Sequence, residues 1–158
     1  MDLATWINPI YAVVAWIVMF VFIDTKRIKE LMPIGFLAIG LFFIAQQFLL
    51  YLNLLKYDKA LVFFFGIPFF QLFWAFAFGI LMASYMKPVW NEKLPIILLF
   101  TIVNELQFYF AQIIGNLTTM NGYNIWIDMI ATFAGFSLAV WVGEGLFKDR
   151  IYRLSKMD

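Results

Sequence analysis

Clusters of charge divide this chain into five long stretches that contain almost no charged residue. The stretches lie at about 5–23, 33–55, 61–86, 95–115 and 125–147. A bilayer core about 30 Å thick needs roughly 20 residues of α-helix, because each residue adds about 1.5 Å. The pattern therefore predicts an all-α fold, a polytopic transmembrane bundle of five helices that forms a single domain over residues 1–158.

Composition supports a membrane environment and narrows the chemistry. The 158 residues are 65% hydrophobic and 13% charged, which is more apolar than a soluble domain of this size. The chain contains no cysteine and no histidine, which excludes disulfides and any nucleophilic or metal site built on thiolate or imidazole. With a formal net charge of +1 and no glycine-rich phosphate loop, we expect neither a nucleic-acid partner nor a cofactor.

Lysine and arginine are distributed unevenly between the connecting segments. With five helices, the segments at 24–32 and 87–94 and the tail after 147 lie on one side and hold nine basic residues, against two at 56–60. Cytoplasmic segments of membrane proteins are enriched in these residues. We therefore expect the N-terminus outside and the C-terminus in the cytoplasm.

Two of the predicted helices carry small residues at four-residue intervals. Such residues let helix backbones approach closely in lipid, although they are also common in membrane helices generally. We expect them to form the faces through which helices pack. The positions are Ala75, Gly79 and Ala83 in the third predicted helix and Gly135, Ala139 and Gly143 in the fifth.

Glu105 lies at the midpoint of the fourth predicted helix, and none of the five predicted helices contains a lysine or arginine to neutralise it. An unpaired carboxylate is costly in a bilayer, so we expect a neutral, protonated acid or an anion that holds a cation. Side chains at a comparable depth would complete a candidate intramembrane polar site, which is either a structural hydrogen-bonded contact or a proton, cation or ligand site. These side chains are Asn104, Gln112, Gln46, Gln47 and Gln71.

Two other acids occupy positions with ordinary structural explanations. Glu144 precedes Lys148 by four residues, the spacing of an ion pair on a helix. Asp128 follows Asn124 in the first turn of the fifth predicted helix, where a negative charge complements the helix dipole. At about 1.5 Å per residue, Asp128 and Glu105 are predicted to differ in depth by roughly 10 Å, which is too far to share a proton.

The second half of the chain contains a recognisable order of residues. Pro68 precedes an aromatic helix, Pro88 follows it, Glu105 lies in the next helix, and Gly122, Tyr123 and Trp126 open the last. Over this region, little more than half of the chain, the sequence resembles a family of small multispanning membrane proteins from spore-forming Gram-positive bacteria. The family has no assigned activity, so the resemblance implies a bacterial cytoplasmic membrane location and no reaction.

Three functions are compatible with these features. The favoured one is a non-enzymatic subunit or accessory factor that acts through helix packing, with membrane lipid, other membrane subunits or a second copy of the chain as partners. The second is a small transporter or ion-conducting subunit with a proton or cation site at Glu105. The third is a membrane-embedded enzyme acting on a lipid or isoprenoid, with Glu105 or Asp128 as its acid.

Overall fold

A computed structural model describes residues 2–152 and places them in five α-helices and two small antiparallel strand pairs. The helices are α1 (Leu3–Phe22), α2 (Thr25–Tyr51), α3 (Phe69–Tyr85), α4 (Trp90–Ile113) and α5 (Ile125–Ile151). The strands are β1 (Leu55–Tyr57), β2 (Phe63–Phe64), β3 (Ile67–Pro68) and β4 (Leu117–Thr119). The predicted all-α class with five helices is confirmed.

The helices differ in length and in how deeply they are buried. Among residues 2–152, α1, α2, α4 and α5 are each long and apolar enough to span a membrane. Helix α3 has 17 residues, of which eleven are buried. It packs mainly against α1 and α2, while α4 packs on α5 and α5 also contacts α2. Helix α3 is therefore the central helix of the bundle, and the longer helices surround it.

Helices α2 and α4 begin earlier than the apolar pattern predicts. They were expected from 33 and 95 but begin at Thr25 and Trp90, so that Pro33 and Pro95 lie inside them. The Asp24 side chain accepts a hydrogen bond from the Lys26 backbone amide at 3.4 Å, which caps α2 before the apolar run starts. Polar first turns extend a helix beyond its apolar part, and hydropathy alone does not register them.

The first part of the predicted third helix is a β-hairpin. Strand β2 pairs with β3, with Phe63 opposite Pro68. The turn between them has positive φ angles at Phe65 (49°) and Gly66 (82°), a conformation that the glycine accommodates without strain. Pro68 then precedes the first residue of α3. A short apolar run is compatible with a strand or a helix, which is why the sequence pattern placed the helix start too early.

The connecting segments at 56–60 and 116–124 contribute the second strand pair. Strand β1 pairs with β4 in a register that sets Leu55 opposite Thr119 and Tyr57 opposite Leu117. We call the end of the bundle that carries these strands the strand end. The opposite end, with the starts of α2 and α4 and the end of α5, is called the basic end.

Asn116 fixes the chain at the strand end. Its side chain is fully buried, and its Nδ2 donates hydrogen bonds to the carbonyl oxygens of Ala4 at 2.7 Å and Lys59 at 2.6 Å. These bonds join the start of α1 to the segments on either side of the β1–β4 pair. Asn116 also begins an Asn-Leu-Thr sequence of the kind that accepts N-linked glycans, but its buried and engaged amide is inaccessible to a glycan in the folded protein.

The small residues of α3 face the interior of the bundle. Ala75, Gly79 and Ala83 are all buried. A Cβ atom added at Gly79 would lie 2.4 Å from the Cβ of Ala38, far closer than two carbon atoms can approach. Gly79 therefore lets α3 approach α2 closely at this crossing.

The small residues of α5 lie in mixed surroundings. Ala139 and Gly143 border a small apolar cavity between α2, α3 and α5. A Cβ atom at Gly135 would meet no other atom within 4 Å. The predicted face of α5 is thus internal at Gly143 and open at Gly135.

Candidate functional site

Glu105 and Asp128 lie side by side between α4 and α5. Their carboxyl groups are within hydrogen-bonding reach of each other, and the two residues are only 5% and 6% exposed. The predicted separation in depth is therefore wrong. That prediction assumed helices with level ends, whereas Glu105 lies eight residues before the end of α4 and Asp128 three after the start of α5. Helix α5 thus begins about 7.5 Å deeper than α4 ends.

Each carboxyl group has a polar neighbour of its own. The Asn104 Nδ2 donates to Glu105 Oε1 at 3.2 Å and also reaches the Thr132 hydroxyl at 3.4 Å. The Tyr123 hydroxyl donates to Asp128 Oδ1. Glu105 Oε2 is buried and receives no hydrogen bond from the described residues. This oxygen, beside the second carboxyl group, has unused capacity to accept a proton.

The acid pair has no basic neighbour, unlike the acids at the surface of the strand end. No lysine or arginine within residues 2–152 contacts Glu105 or Asp128. By contrast, the hydrogen bond from the Lys59 ammonium, at 2.7 Å, lowers the pKa of the exposed Asp2. The buried pair therefore lacks the counter-charge by which carboxylates are usually kept ionised.

Tyr123 lies in the connecting segment just before α5 and is buried. Burial, and then its hydrogen bond to Asp128, raise the pKa of Tyr123 far above its ordinary value. The hydroxyl consequently keeps its proton and acts as a donor. A turn with positive φ at Asn121 and Gly122 directs the chain toward this position, and the Asn124 side chain then caps α5.

A second polar group adjoins the acid pair on the side of the strand end. The Tyr57 hydroxyl donates to Gln46 Oε1 at 2.9 Å, and Gln71 Nε2 donates to Asn8 Oδ1 at 3.1 Å. Tyr57 also lies within hydrogen-bonding reach of Gln71 and close enough to Asp128 for an electrostatic interaction. Tyr57, which β1 positions, therefore lies between the two polar groups.

The structure divides the six predicted site residues into three sets. Glu105 and Asn104 lie at the acid pair, and Gln46 and Gln71 lie in the group around Tyr57. The other two bind elsewhere. Gln47 donates to the Phe65 carbonyl oxygen at 2.7 Å, and Gln112 donates to the Thr119 hydroxyl at 3.2 Å.

Several residues of the site were not predicted, or were given another role. Asp128 was assigned to the helix dipole, and Tyr123, Thr132, Tyr57 and Asn8 were not selected for this site. One signal was available, because Asp128 and Thr132 are four residues apart and share a face of α5. Tyr57 and Asn8 carried no such signal, since only the strand pairing and the packing of α1 bring them to the site.

The interior between the acid pair and the basic end is apolar. Met19, Ile80 and Ile97 are fully buried in the core that α1, α3 and α4 share. The Thr101 hydroxyl, also fully buried, donates to the Ile97 carbonyl oxygen of its own helix at 2.9 Å. The polar groups of the site thus occupy the half of the bundle nearer the strand end.

This arrangement is chemically suited to binding a proton. Two adjacent carboxyl groups can share one, while Asn104 and Tyr123 donate to other oxygens of the pair. Within residues 2–152, no group of three or more acidic side chains that could hold a metal ion occurs. Comparison of the chain with family models, with curated proteins and with solved structures finds no match.

Proposed function

We propose that the chain is a non-enzymatic, multi-pass subunit or accessory protein of the bacterial cytoplasmic membrane in which a proton shared by Glu105 and Asp128 controls the contact between α4 and α5. The observation that carries this proposal is the contact of two buried carboxyl groups without a basic neighbour in residues 2–152. The four long apolar helices support a membrane environment, and the bacterial location is part of the proposal, taken from the resemblance noted in the sequence.

The physical basis is the repulsion between like charges in a medium of low dielectric constant. Two ionised carboxylates in contact repel each other strongly when they are buried, so such pairs retain one proton. The shared proton would also satisfy Glu105 Oε2, the buried oxygen without a donor. Loss of that proton would separate α4 from α5 at the strand end. The titratable groups that face the pair are Tyr123 and Tyr57, and both are neutral hydroxyls near physiological pH.

Hydrogen exchange at different pH values tests this control. In the wild-type protein, raising the pH through the titration of the pair should increase amide exchange in residues 120–132, after correction for the intrinsic rate. Glu105→Gln should remove this increase, because the amide can donate to Asp128 as the shared proton does and does not titrate. At the highest pH of the series we expect the exchange rates of the two proteins to differ by about tenfold. This is the effect of about 1.4 kcal/mol, the equivalent of one pKa unit, on the equilibrium constant for local opening.

The matched control is Glu92→Gln, which removes an exposed acid from the other end of the same helix. It should leave the pH response unchanged. The proposal would be abandoned if Glu105→Gln, shown by circular dichroism to be folded, kept the full wild-type response. Asp128→Asn provides an independent check, since it removes the other acid of the pair at nearly constant volume.

The outer surfaces of α2 and α5 support an accessory role. In each helix only 11% of an apolar stretch of 18 residues is buried inside the bundle, so most of its residues are at least partly accessible from outside. Gly135 adds an open position on α5 at which another backbone could approach. Membrane lipid, another subunit or a second copy of the chain would cover these surfaces, and a proton-dependent contact between α4 and α5 would change what they present.

A proton or cation transporter is the alternative that the missing counter-charge favours. Intramembrane acids without a basic partner are typical of ion pathways. The apolar layer at Met19, Ile80 and Ile97 would then have to open during each cycle. Proton flux into vesicles that contain the purified protein and a trapped pH dye distinguishes the two functions. A flux above that of protein-free vesicles, abolished by Glu105→Gln and kept by Glu92→Gln, would favour the transporter.

We further propose that the basic end faces the cytoplasm. In the described residues it carries seven lysines and arginines, against Lys56 and Lys59 at the strand end, while Arg153 and Lys156 of the tail lie outside the described residues. Single cysteines at the exposed Asn121 and Asp149 should react with a membrane-impermeant maleimide from opposite sides of the membrane. Labelling of the Asn121→Cys protein from the cytoplasmic side would contradict this orientation.

A further inference from the structure

A cleft of about 630 Å³ opens at the basic end, where α4 begins and α5 ends. It lies outside the acid pair and has no part in the function proposed above. Both apolar and charged side chains line it. The lining residues used below are the apolar Trp141, Val142 and Leu146 and the charged Lys93, Glu144 and Lys148.

The charged residues of the lining have an excess of positive charge. The Lys93 side chain is 4% exposed, and its ammonium group pairs with the Glu144 carboxylate and lies 4.9 Å from the centre of the Trp90 ring. Lys148 is exposed and takes part in none of the ion pairs among residues 2–152, so the predicted pair of Glu144 with Lys148 is wrong, because Glu144 pairs with Lys93 instead. Asp149 is next in the chain but does not line the cleft. Two ammonium groups therefore face the cleft with one carboxylate.

Contacts that do not involve Lys148 fix the position of the helix ends that form the cleft. The Tyr152 hydroxyl donates to the Lys87 carbonyl oxygen at 3.1 Å and contacts Glu144, which joins the end of α5 to the α3–α4 connection. Arg27 donates to the carbonyl oxygens of Arg150 and Ile151 and so attaches the last turn of α5 to α2. The cleft is thus formed before any ligand enters, which lowers the entropic cost of binding.

We propose that this cleft binds an anionic phospholipid, with the headgroup phosphate at Lys148 and Lys93 and the upper acyl chains along Trp141, Val142 and Leu146. Trp141 and Leu146 are largely exposed on α5 and Val142 is partly exposed, so acyl chains could cover all three. Basic clefts between membrane helices bind anionic headgroups in this way. A zwitterionic lipid carries the same phosphate but adds a cationic group that the excess positive charge repels, so net negative charge is the basis of selection.

Native mass spectrometry of the full-length, delipidated protein tests the proposal. The probes are phosphatidylglycerol, phosphatidylcholine with identical acyl chains, and inorganic phosphate. Phosphatidylglycerol should bind more tightly than phosphatidylcholine, and Lys148→Gln should weaken its binding about fivefold, the effect of one basic residue near a lipid surface. Inorganic phosphate should not displace the lipid, because it has no acyl chains to contact the apolar lining residues.

Lys26→Gln is the matched control, since it removes the same charge from an exposed position at the basic end but outside the cleft. It should bind phosphatidylglycerol as the wild type does. Equal weakening by Lys26→Gln and Lys148→Gln would show that only the general charge of the basic end matters, and would overturn the proposal that the cleft binds the lipid. Full displacement of the lipid by inorganic phosphate would overturn the proposal, because it would show that the cleft binds a free anion. Equal binding of both lipids would contradict the selection by charge.

Discussion

Replacing Arg27 by methionine is expected to lower the free energy of unfolding by about 3 kcal/mol, because the change removes a buried charge that satisfies backbone groups of another helix. The Arg27 side chain is 7% exposed. Its guanidinium donates to the carbonyl oxygens of Arg150, at 2.5 Å, and Ile151 at the end of α5, and pairs with Glu30 at 3.2 Å. Within residues 2–152 these carbonyl groups have no backbone partner in their own helix, and a cation at a helix C-terminus also complements the dipole.

Unfolding in mixed micelles with increasing SDS, followed by far-ultraviolet circular dichroism, measures this loss. Lys26→Met is the control, because Lys26 is the neighbouring residue, carries the same charge and is exposed. Arg27→Lys should have an intermediate effect, since one ammonium group cannot reproduce the geometry of a guanidinium. If Arg27→Met and Lys26→Met were equally stable, the link between α2 and α5 would not contribute to stability.

Gly79→Ala is expected to destabilise the bundle by about 2 kcal/mol, because the new methyl group overlaps Ala38 of α2 and forces two packed helices apart. Gly135→Ala is the matched control on α5, where an added Cβ meets no neighbouring atom. There the substitution should stabilise the protein by up to about 1 kcal/mol, since alanine favours the helix more than glycine does. The same change is therefore expected to have opposite signs at two positions, which thermal unfolding in detergent can measure.

A second substitution separates overlap from other causes at Gly79. Gly79→Ala combined with Ala38→Gly moves the methyl group from one helix to the other and leaves one methyl group at the crossing. The double variant should regain most of the lost stability. Absence of any recovery would mean that Gly79 is required for a reason other than its distance from Ala38.

The number of helices followed from the sequence because apolar length and charge clusters are local properties. The first and last residues of the helices were predicted less accurately. Asp24 caps α2 well before the apolar run begins, and the hairpin with its turn at Phe65 and Gly66 makes α3 begin later than predicted. Both differences depend on capping and turn geometry, which hydropathy does not describe. The basic residues Arg27 and Lys93 consequently lie within helices, where they form buried contacts that their assignment to connecting segments did not suggest.

The candidate site was predicted in part for a similar reason. Glu105 stood out because charge in an apolar run is visible in a sequence, and Asn104 is its neighbour in the chain. Asp128 was set aside because residue counts give depth only when helix ends are level, and the offset between α4 and α5 depends on the whole segment between them. Tyr57 reaches the site through its pairing with β4, a contact between residues 60 positions apart that no local pattern encodes.

The pairing of β1 with β4 also determines when the site can form during biosynthesis. Tyr57 leaves the ribosome well before Leu117, its partner in the strand register, and before Glu105 and Asp128. Since synthesis proceeds from the N-terminus, in the multi-pass arrangement that we propose α1, α2 and α3 can insert and pack before Glu105 has left the ribosome. In that arrangement the two acids first meet when α5, the last helix, enters the membrane. If α4 inserted first, Glu105 would enter the bilayer without its partner. Insertion of α4 and α5 together as a hairpin would avoid the cost of this unpaired acid.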